Sequence, residues 1–297
     1  MISAYADFLL THLSASVSKR KVDHALPTRR VDTPVGSVRV YDSGSAMAAV
    51  IMVPDGPNVI EHYAGLIKLL SPQMRVVCFD MPGFGHSLPK PSYGHKLDQG
   101  AQAVLGVMDS LGIDNATLAF SCANGFYALR AATLAPQRIT HLLLSQTPSL
   151  EAMHAWAQHT IPSLFSVPVL GQLLAWLFRK KVASRWYRKA LPRSTDPRLF
   201  GDMGIEALSN GGCFCLASVV QALVHEKAEV LTDVRVPCTV IWGMQDASHL
   251  RTDPSSLVEW VPHANVVEFA DCGHFPDIEH PSRFAEILLG MGGASIT

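Results

Sequence analysis

Ala116-Thr-Leu-Ala-Phe120-Ser121-Cys122-Ala123-Asn124-Gly125-Phe-Tyr-Ala128-Leu-Arg-Ala-Ala-Thr-Leu134-Ala-Pro136 is the stretch on which the rest of the chain turns. Ala116 to Phe120 is a mostly apolar run, as in a strand covered on both faces. A knot of small residues follows at Cys122–Gly125. A helical pattern then runs from about Ala123 to Leu134 and stops before Pro136, which disfavours helix in the residue before it. Strand, abrupt turn and helix follow one another with no spacer, so one residue sits at the turn itself. Ser121 and Cys122 are the two candidates for that position, and both are potential nucleophiles.

Outward from this stretch, buried runs alternate with helical patterns. Upstream, Arg30–Pro34 and Ser37–Tyr41 read as a hairpin around Val35-Gly36. Ala48–Val53 is a continuous apolar strand broken by Pro54-Asp55-Gly56-Pro57, and a helix carries Tyr63, Leu66, Ile67, Leu69 and Leu70. Arg75–Asp80 is a strand, followed by the turn-rich Met81–Ser87 and a helix over Leu97–Leu111. Downstream, Ile139–Ser145, Cys238–Trp242 and Asn265–Phe269 read as strands, and Pro281–Leu289 as a closing helix. This alternation argues for an α/β fold with a doubly wound, mostly parallel sheet. No strand is expected between about 149 and 232, where Met153, Trp156, Leu170, Leu173, Trp176, Leu177, Trp186, Val219 and Leu223 mark helices. The reading is a core over 30–148 and 233–297, an inserted helical cap over 149–232, and a helical extension over 1–29. In that extension Ile2, Tyr5, Phe8, Leu9, Leu13 and Val17 recur at helical spacing, as if to pack on the domain.

The 297 residues are 48% hydrophobic and 16% charged, with a net charge of −1, enough for one large domain with an insert. No nucleic-acid partner is expected from that balance. The six cysteines form no Cys-x-x-Cys pair, and a chain of this length needs no disulfide staples, so a reducing, cytoplasmic setting is expected. No basic segment precedes the short apolar patch Phe8-Leu9-Leu10, and Lys19-Arg20-Lys21 follows it, so no signal peptide is expected. Prolines and polar residues interrupt Ile161–Phe178, so no membrane span is expected there. Cys213-Phe-Cys215 lacks a second ligand pair, Gly83-x-Gly85 lacks the third glycine of a dinucleotide loop, and Arg179-Lys180-Lys181 reads as a solvated face. Neither a metal nor a cofactor is expected.

Four stretches together resemble the α/β-hydrolase superfamily: the strand–turn–helix of Ala116–Pro136, which resembles that family's nucleophile elbow, Asp80-Met-Pro-Gly83-Phe-Gly85-His-Ser87, Ile241-Trp-Gly-Met-Gln-Asp246, and Asp271-Cys-Gly-His274-Phe-Pro-Asp-Ile-Glu-His280-Pro281. The resemblance covers nearly the whole core and spares the cap. It implies a nucleophile at the elbow, the acid Asp246 and the base His274, in the family's order along the chain. The family's elbow reads Gly-x-Ser-x-Gly, and its flanking spacing favours Cys122 over Ser121. Gly125, Ala128 and Pro136 then fall where the family carries glycine, alanine and the helix-ending proline. Phe120 and Asn124 replace the two small flanking residues. The resemblance further implies an oxyanion hole from the N–H groups of Ala123 and Gly56, the latter beside Asp55. Asp55, Pro57, Ser121, Trp156, Trp176 and Phe275 are the expected substrate contacts.

The chemistry fits the residue types. A cysteine attacks as thiolate, a histidine takes and returns its proton, and a carboxylate orients the imidazole. The expected function is hydrolysis of an ester or thioester with an apolar portion, free or carrier-bound, through a thioester acyl-enzyme. Acyl transfer or cyclisation from the same intermediate is the first alternative. A lyase or binding protein on a hydrolase scaffold is the second, motivated by Phe120, Asn124 and Asp55.

Overall fold

A computed structural model describes residues 1–17 and 26–292, so Lys19-Arg20-Lys21 and the junction around it lie outside the described residues. Helix α1 (Ile2–Val17) precedes the hairpin β1 (Thr28–Thr33) and β2 (Gly36–Asp42). The sheet continues with β3 (Ala49–Val53), then α2 (Ala64–Leu70), β4 (Arg75–Phe79) and the two-residue strands β5 (Phe84–Gly85) and β6 (Leu88–Pro89). Next come α3 (Leu97–Ser110), β7 (Ala116–Ser121), α4 (Ala123–Leu134) and β8 (Ile139–Ser145). An excursion through α5 (Leu150–Thr160), α6 (Leu170–Ala190), α7 (Arg198–Ser209), β9 (Cys213–Phe214) and α8 (Leu216–Leu223) precedes β10 (Cys238–Gly243) and β11 (Asn265–Phe269). The short α9 (Pro276–Glu279) and α10 (Pro281–Gly292) end the described chain.

The main sheet runs in the order β1-β2-β4-β3-β7-β8-β10-β11, with β6 pairing β2. The β1–β2 and β2–β4 pairs are antiparallel, and the pairs from β4 to β11 are parallel. All residues of β3 and β7 are buried, which explains why β3 reads as a continuous and β7 as a mostly apolar run. Their side chains alternate between two cores. Ile51, Val53, Leu118, Phe120, Leu142 and Leu144 pack with α3 and α4 on one face. Val50, Met52, Val76, Ala119, Leu143 and Ile241 pack with α2 and α10 on the other.

Two local expectations change. The stretch read as free of strands contains β9, which pairs antiparallel with β5 and ties the excursion to the loop after β4. Two residues are too few to show a period of 2. Helix α1 forms over the expected residues but turns the opposite face inward. Ala4, Asp7, Thr11 and Ser14 are buried, while Ile2, Tyr5, Leu9, Leu13 and Val17 are exposed. No described helix is long and apolar enough to cross a membrane.

Candidate active site

The elbow is held by backbone geometry. Cys122 has φ +52° and ψ −127°, a strained conformation for a residue with a side chain, and α4 starts at the next residue. Its N–H donates to Ser145 O at 2.7 Å, and Thr147 Oγ1 donates to Cys122 O at 3.1 Å. Gly125 is required by this packing, since a Cβ there would meet Thr147 Oγ1 at 2.2 Å. Asn124 uses its side chain as an anchor: Nδ2 donates to Pro54 O at 3.2 Å and ties α4 to the end of β3. Phe120 points away into the core, edge-on to Phe79. The two bulky replacements therefore leave the turn intact.

Adjacent residues diverge at the elbow. Ser121 is buried in β7, and its hydroxyl donates to Asp277 Oδ2 at 2.9 Å, beside a second bond from Tyr63 Oη. Cys122 faces a cavity of about 520 Å³. The Cys122 sulfur and a ring nitrogen from each of His249 and His274 fall within 4.8 Å of one another.

Asp246 and His274 reach this point on two loops pressed together. A Cβ on Gly243 would lie 1.7 Å from Gly273 O, so only glycine allows the approach. His274 Nδ1 is 2.6 Å from Asp246 Oδ2, and the His274 N–H is fixed to Ala190 O at 2.8 Å. Asp246 Oδ2 also accepts from Gln146 Nε2 at 2.8 Å, and its Oδ1 accepts from Ser248 N and Oγ at 2.8 and 2.6 Å. Burial alone would raise this carboxyl, but the charge and hydrogen bond of His274, with His249 and the Ser248 hydroxyl, outweigh it and hold Asp246 at about 2.

The other ring nitrogen has an unusual neighbour. His274 Nε2 is 3.2 Å from Asp55 Oδ2, so one imidazole lies between two carboxylates. Burial pushes His274 down, yet Asp246, Cys122 and Asp55 together move it well above its ordinary value. Asp55 is raised by burial against the opposing pull of His274. Cys122 is raised first by burial and then by Asp55, with His274 and the Ala123 N–H acting in the opposite direction.

The expected site residues separate into two groups. Asp55, Gly56, Cys122, Ala123 and Trp156 line the cavity. His274 and Asp246 are buried behind it. Four expected substrate contacts are corrected. Ser121 bonds to Asp277 within the core. Trp176 turns to α1, where its Nε1 donates to Ser14 Oγ at 2.6 Å. Phe275 is fully buried, edge-on behind the His274 ring. Pro57 lies outside the cavity lining, with its carbonyl toward Gly204.

Trp186 and His249, which the sequence reading did not assign to the site, are present there. Trp186 lines the cavity and meets His274 edge-on at 4.9 Å. His249 stacks between Trp156 at 5.0 Å and His274 at 5.3 Å, and burial drives it down to about 3. His249 follows Asp246 by three residues, the only local signal that could have marked it. Helix α6 also places Lys181, Arg185 and Lys189 along the cavity, four residues apart on one face. Lys181 is exposed, as expected of it, and also borders the cavity. None of these three is in an ion pair among the described residues.

The family described as alpha/beta hydrolase fold matches residues 48–281. A 2-hydroxymuconate semialdehyde hydrolase of Pseudomonas putida is 28% identical over 265 residues, covering 84% of this chain and 88% of that protein. A 2-hydroxy-6-oxo-6-phenylhexa-2,4-dienoate hydrolase of Burkholderia cepacia is 26% identical over 270 residues, covering 85% and 90%. Among solved structures, epoxide hydrolase A from Mycobacterium thermoresistibile superposes with a TM-score of 0.76 at 15% identity, covering 91% of this chain and 99% of that one. At that identity the likeness shows the fold alone.

Proposed function

Because this chain belongs to the alpha/beta hydrolase fold family, whose curated relatives here are hydrolases, we propose that it cleaves an acyl bond with Cys122 as nucleophile. The observation that carries this reading is the strained Cys122 at the β7–α4 turn, on the cavity wall and beside His274. The Cys122 thiol gives its proton to His274 Nε2 as sulfur bonds to the substrate carbonyl carbon. Asp246 holds the imidazolium through Nδ1. The N–H groups of Ala123 and Gly56 face the developing oxyanion. Collapse breaks the bond to the leaving group, which takes the proton from His274. Water, deprotonated by His274, then attacks the thioester, releases the acid and restores the thiol. A native preparation mixed with a reactive acyl thioester should gain one acyl mass by intact-protein mass spectrometry, and neutral hydroxylamine should remove it. A protein that turns over substrate without ever carrying an adduct, even under rapid quench, would count against the covalent route.

The cavity walls select the substrate. Met153, Trp156, Leu174, Phe178, Val219 and Leu223 form an apolar enclosure, and Lys181, Arg185 and Lys189 form a cationic row along it. We assign the substrate an apolar body and an anionic group. Changing all three cations to alanine should raise KM for a carboxylate-bearing substrate about tenfold, from exposed ion contacts of at most ~1 kcal/mol each. KM for a neutral ester of the same shape should stay unchanged. An equal rise for both substrates would remove the anion assignment.

A second reading is cleavage of a carbon–carbon bond beside a ketone. The cationic row and the name of the Burkholderia cepacia relative, which denotes the oxo-carboxylate 2-hydroxy-6-oxo-6-phenylhexa-2,4-dienoate, favour it. The same intermediate can also pass its acyl group to an amine or thiol. Product analysis separates the three: an alcohol or thiol released with free acid, a free acid with a carbon fragment that has gained a C–H bond, or an acylated acceptor.

A further inference from the structure

Helix α1 places Asp7 on its inward face, where it meets a buried polar cluster in which several atoms have no partner. Asp7, His95 and Cys215 are 4%, 1% and 3% exposed. They come from α1, the loop before α3 and the turn entering α8, three segments far apart in sequence. One carboxylate oxygen, one ring nitrogen and the Cys215 sulfur lie within 4.8 Å of one another. Asp7 Oδ2, His95 Nδ1 and His95 Nε2 have no hydrogen-bond partner, and neither does Tyr93 Oη, whose ring centroid is 4.6 Å from that of His95. Leaving a buried polar group unpaired costs about 1–3 kcal/mol, so this much unmet demand at one point needs a physical cause. His95 also holds φ +59°, which is strained for a residue with a side chain.

Between Asp7 and His95 the spacing fits a shared cation better than a hydrogen bond, while Cys215 and Ser218 lie within hydrogen-bonding reach of the Asp7 carboxylate. Asp7 Oδ2 and His95 Nε2 are 3.9 Å apart, too far for an N–H···O bond. Two ligands of one tetrahedral zinc, each about 2.0–2.3 Å from the metal, stand roughly 3.3–3.8 Å from each other. We propose that Asp7, His95 and Cys215 form a structural site for a divalent zinc-class cation, with Tyr93 Oη or a water as the fourth donor. The mixed S, N and O set suits zinc and disfavours magnesium or calcium, which prefer oxygen alone. Charge balances at the site: a carboxylate, a thiolate and a neutral imidazole around a dication sum to zero, and the thiol proton leaves to solvent on binding. The site would explain why α1 turns its polar face inward and leaves its apolar face exposed. It would also brace the cavity wall, because Phe84 packs edge-on to His95 and Cys215 adjoins the wall residue Phe214. Cys215 N–H donates to Gly83 O at 3.0 Å, so both wall residues hang from the same point.

The test uses the full chain carrying Cys122→Ala, because Cys122, His249 and His274 are a second group with metal-ligand spacing. The protein is stripped with chelator, dialysed against zinc and assayed for metal content, with cobalt(II) as a spectroscopic substitute. One zinc per chain, a higher melting temperature with zinc and a thiolate-to-cobalt charge-transfer band are expected. Cys215→Ser should abolish the band and weaken binding about a hundredfold or more, and His95→Gln should weaken it comparably. Substoichiometric zinc with no rise in melting temperature in the Cys122→Ala protein overturns the site whether or not the other variants fold. A full equivalent that survives Cys215→Ser overturns the ligand assignment.

Discussion

Cys122→Ala should lose both acyl labelling and turnover, with kcat/KM down by several powers of ten, the scale on which triad members act. Truncating the sulfur leaves Asp246, His274 and the apolar enclosure in place, so substrate binding should persist while chemistry stops. Ser121→Ala is the matched control. Its hydroxyl bonds to Asp277, and Tyr63 Oη still donates to that carboxylate after the change. The loss should be about 1 kcal/mol of stability with labelling intact. Cys122→Ser keeps a nucleophile of higher pKa, and should acylate more slowly because an alcohol needs fuller proton removal by His274. Retained turnover in Cys122→Ala would end the covalent reading and move the lyase or binding alternative to the front.

Asp55→Asn should shift the pH at which Cys122 reacts with iodoacetamide downward by about one unit or more, raising alkylation near neutral pH about tenfold. The sign follows from geometry. Asp55 Oδ2 is 3.2 Å from His274 Nε2, the nitrogen that a catalytic cysteine needs. A charged Asp55 occupies that N–H and also repels a thiolate, and it accordingly raises Cys122. Asparagine keeps the shape and removes the charge. In the native protein, acid should release the same restraint as pH falls through the raised Asp55 value, whereas the variant should show no such limb. A shift to higher pH would mean that Asp55 supports the thiolate by keeping His274 protonated. The same variant then separates two roles in turnover. If Asp55 only restrains the thiol, single-turnover acylation speeds up. If it also orders His274, acylation slows while alkylation speeds up.

What the amino-acid sequence determined by itself is the order of the main strands and helices, the elbow and the order along the chain of Cys122, Asp246 and His274. These are local signals. A fully buried strand is apolar wherever its side chains find no polar partner, as throughout β3 and in most of β7, and a strand running directly into a helix at small residues marks the turn. Helical periodicity likewise located α1 within a residue or two. Its inward face was decided by tertiary structure. Period 3.6 sorts residues by face but does not say which neighbour each face meets. Ser14 finds Trp176, and Asp7 approaches His95, in partners remote along the chain. The same reason separates Trp176 from Trp186, ten residues apart on α6, with one turned to α1 and the other to the cavity. The pairing of Asp55 with His274 spans 219 residues and depends on where the loop after β3 meets the loop after β11. A carboxylate's charge state and partners depend on the solvent and charges that surround it after folding, and those are fixed only when distant segments pack.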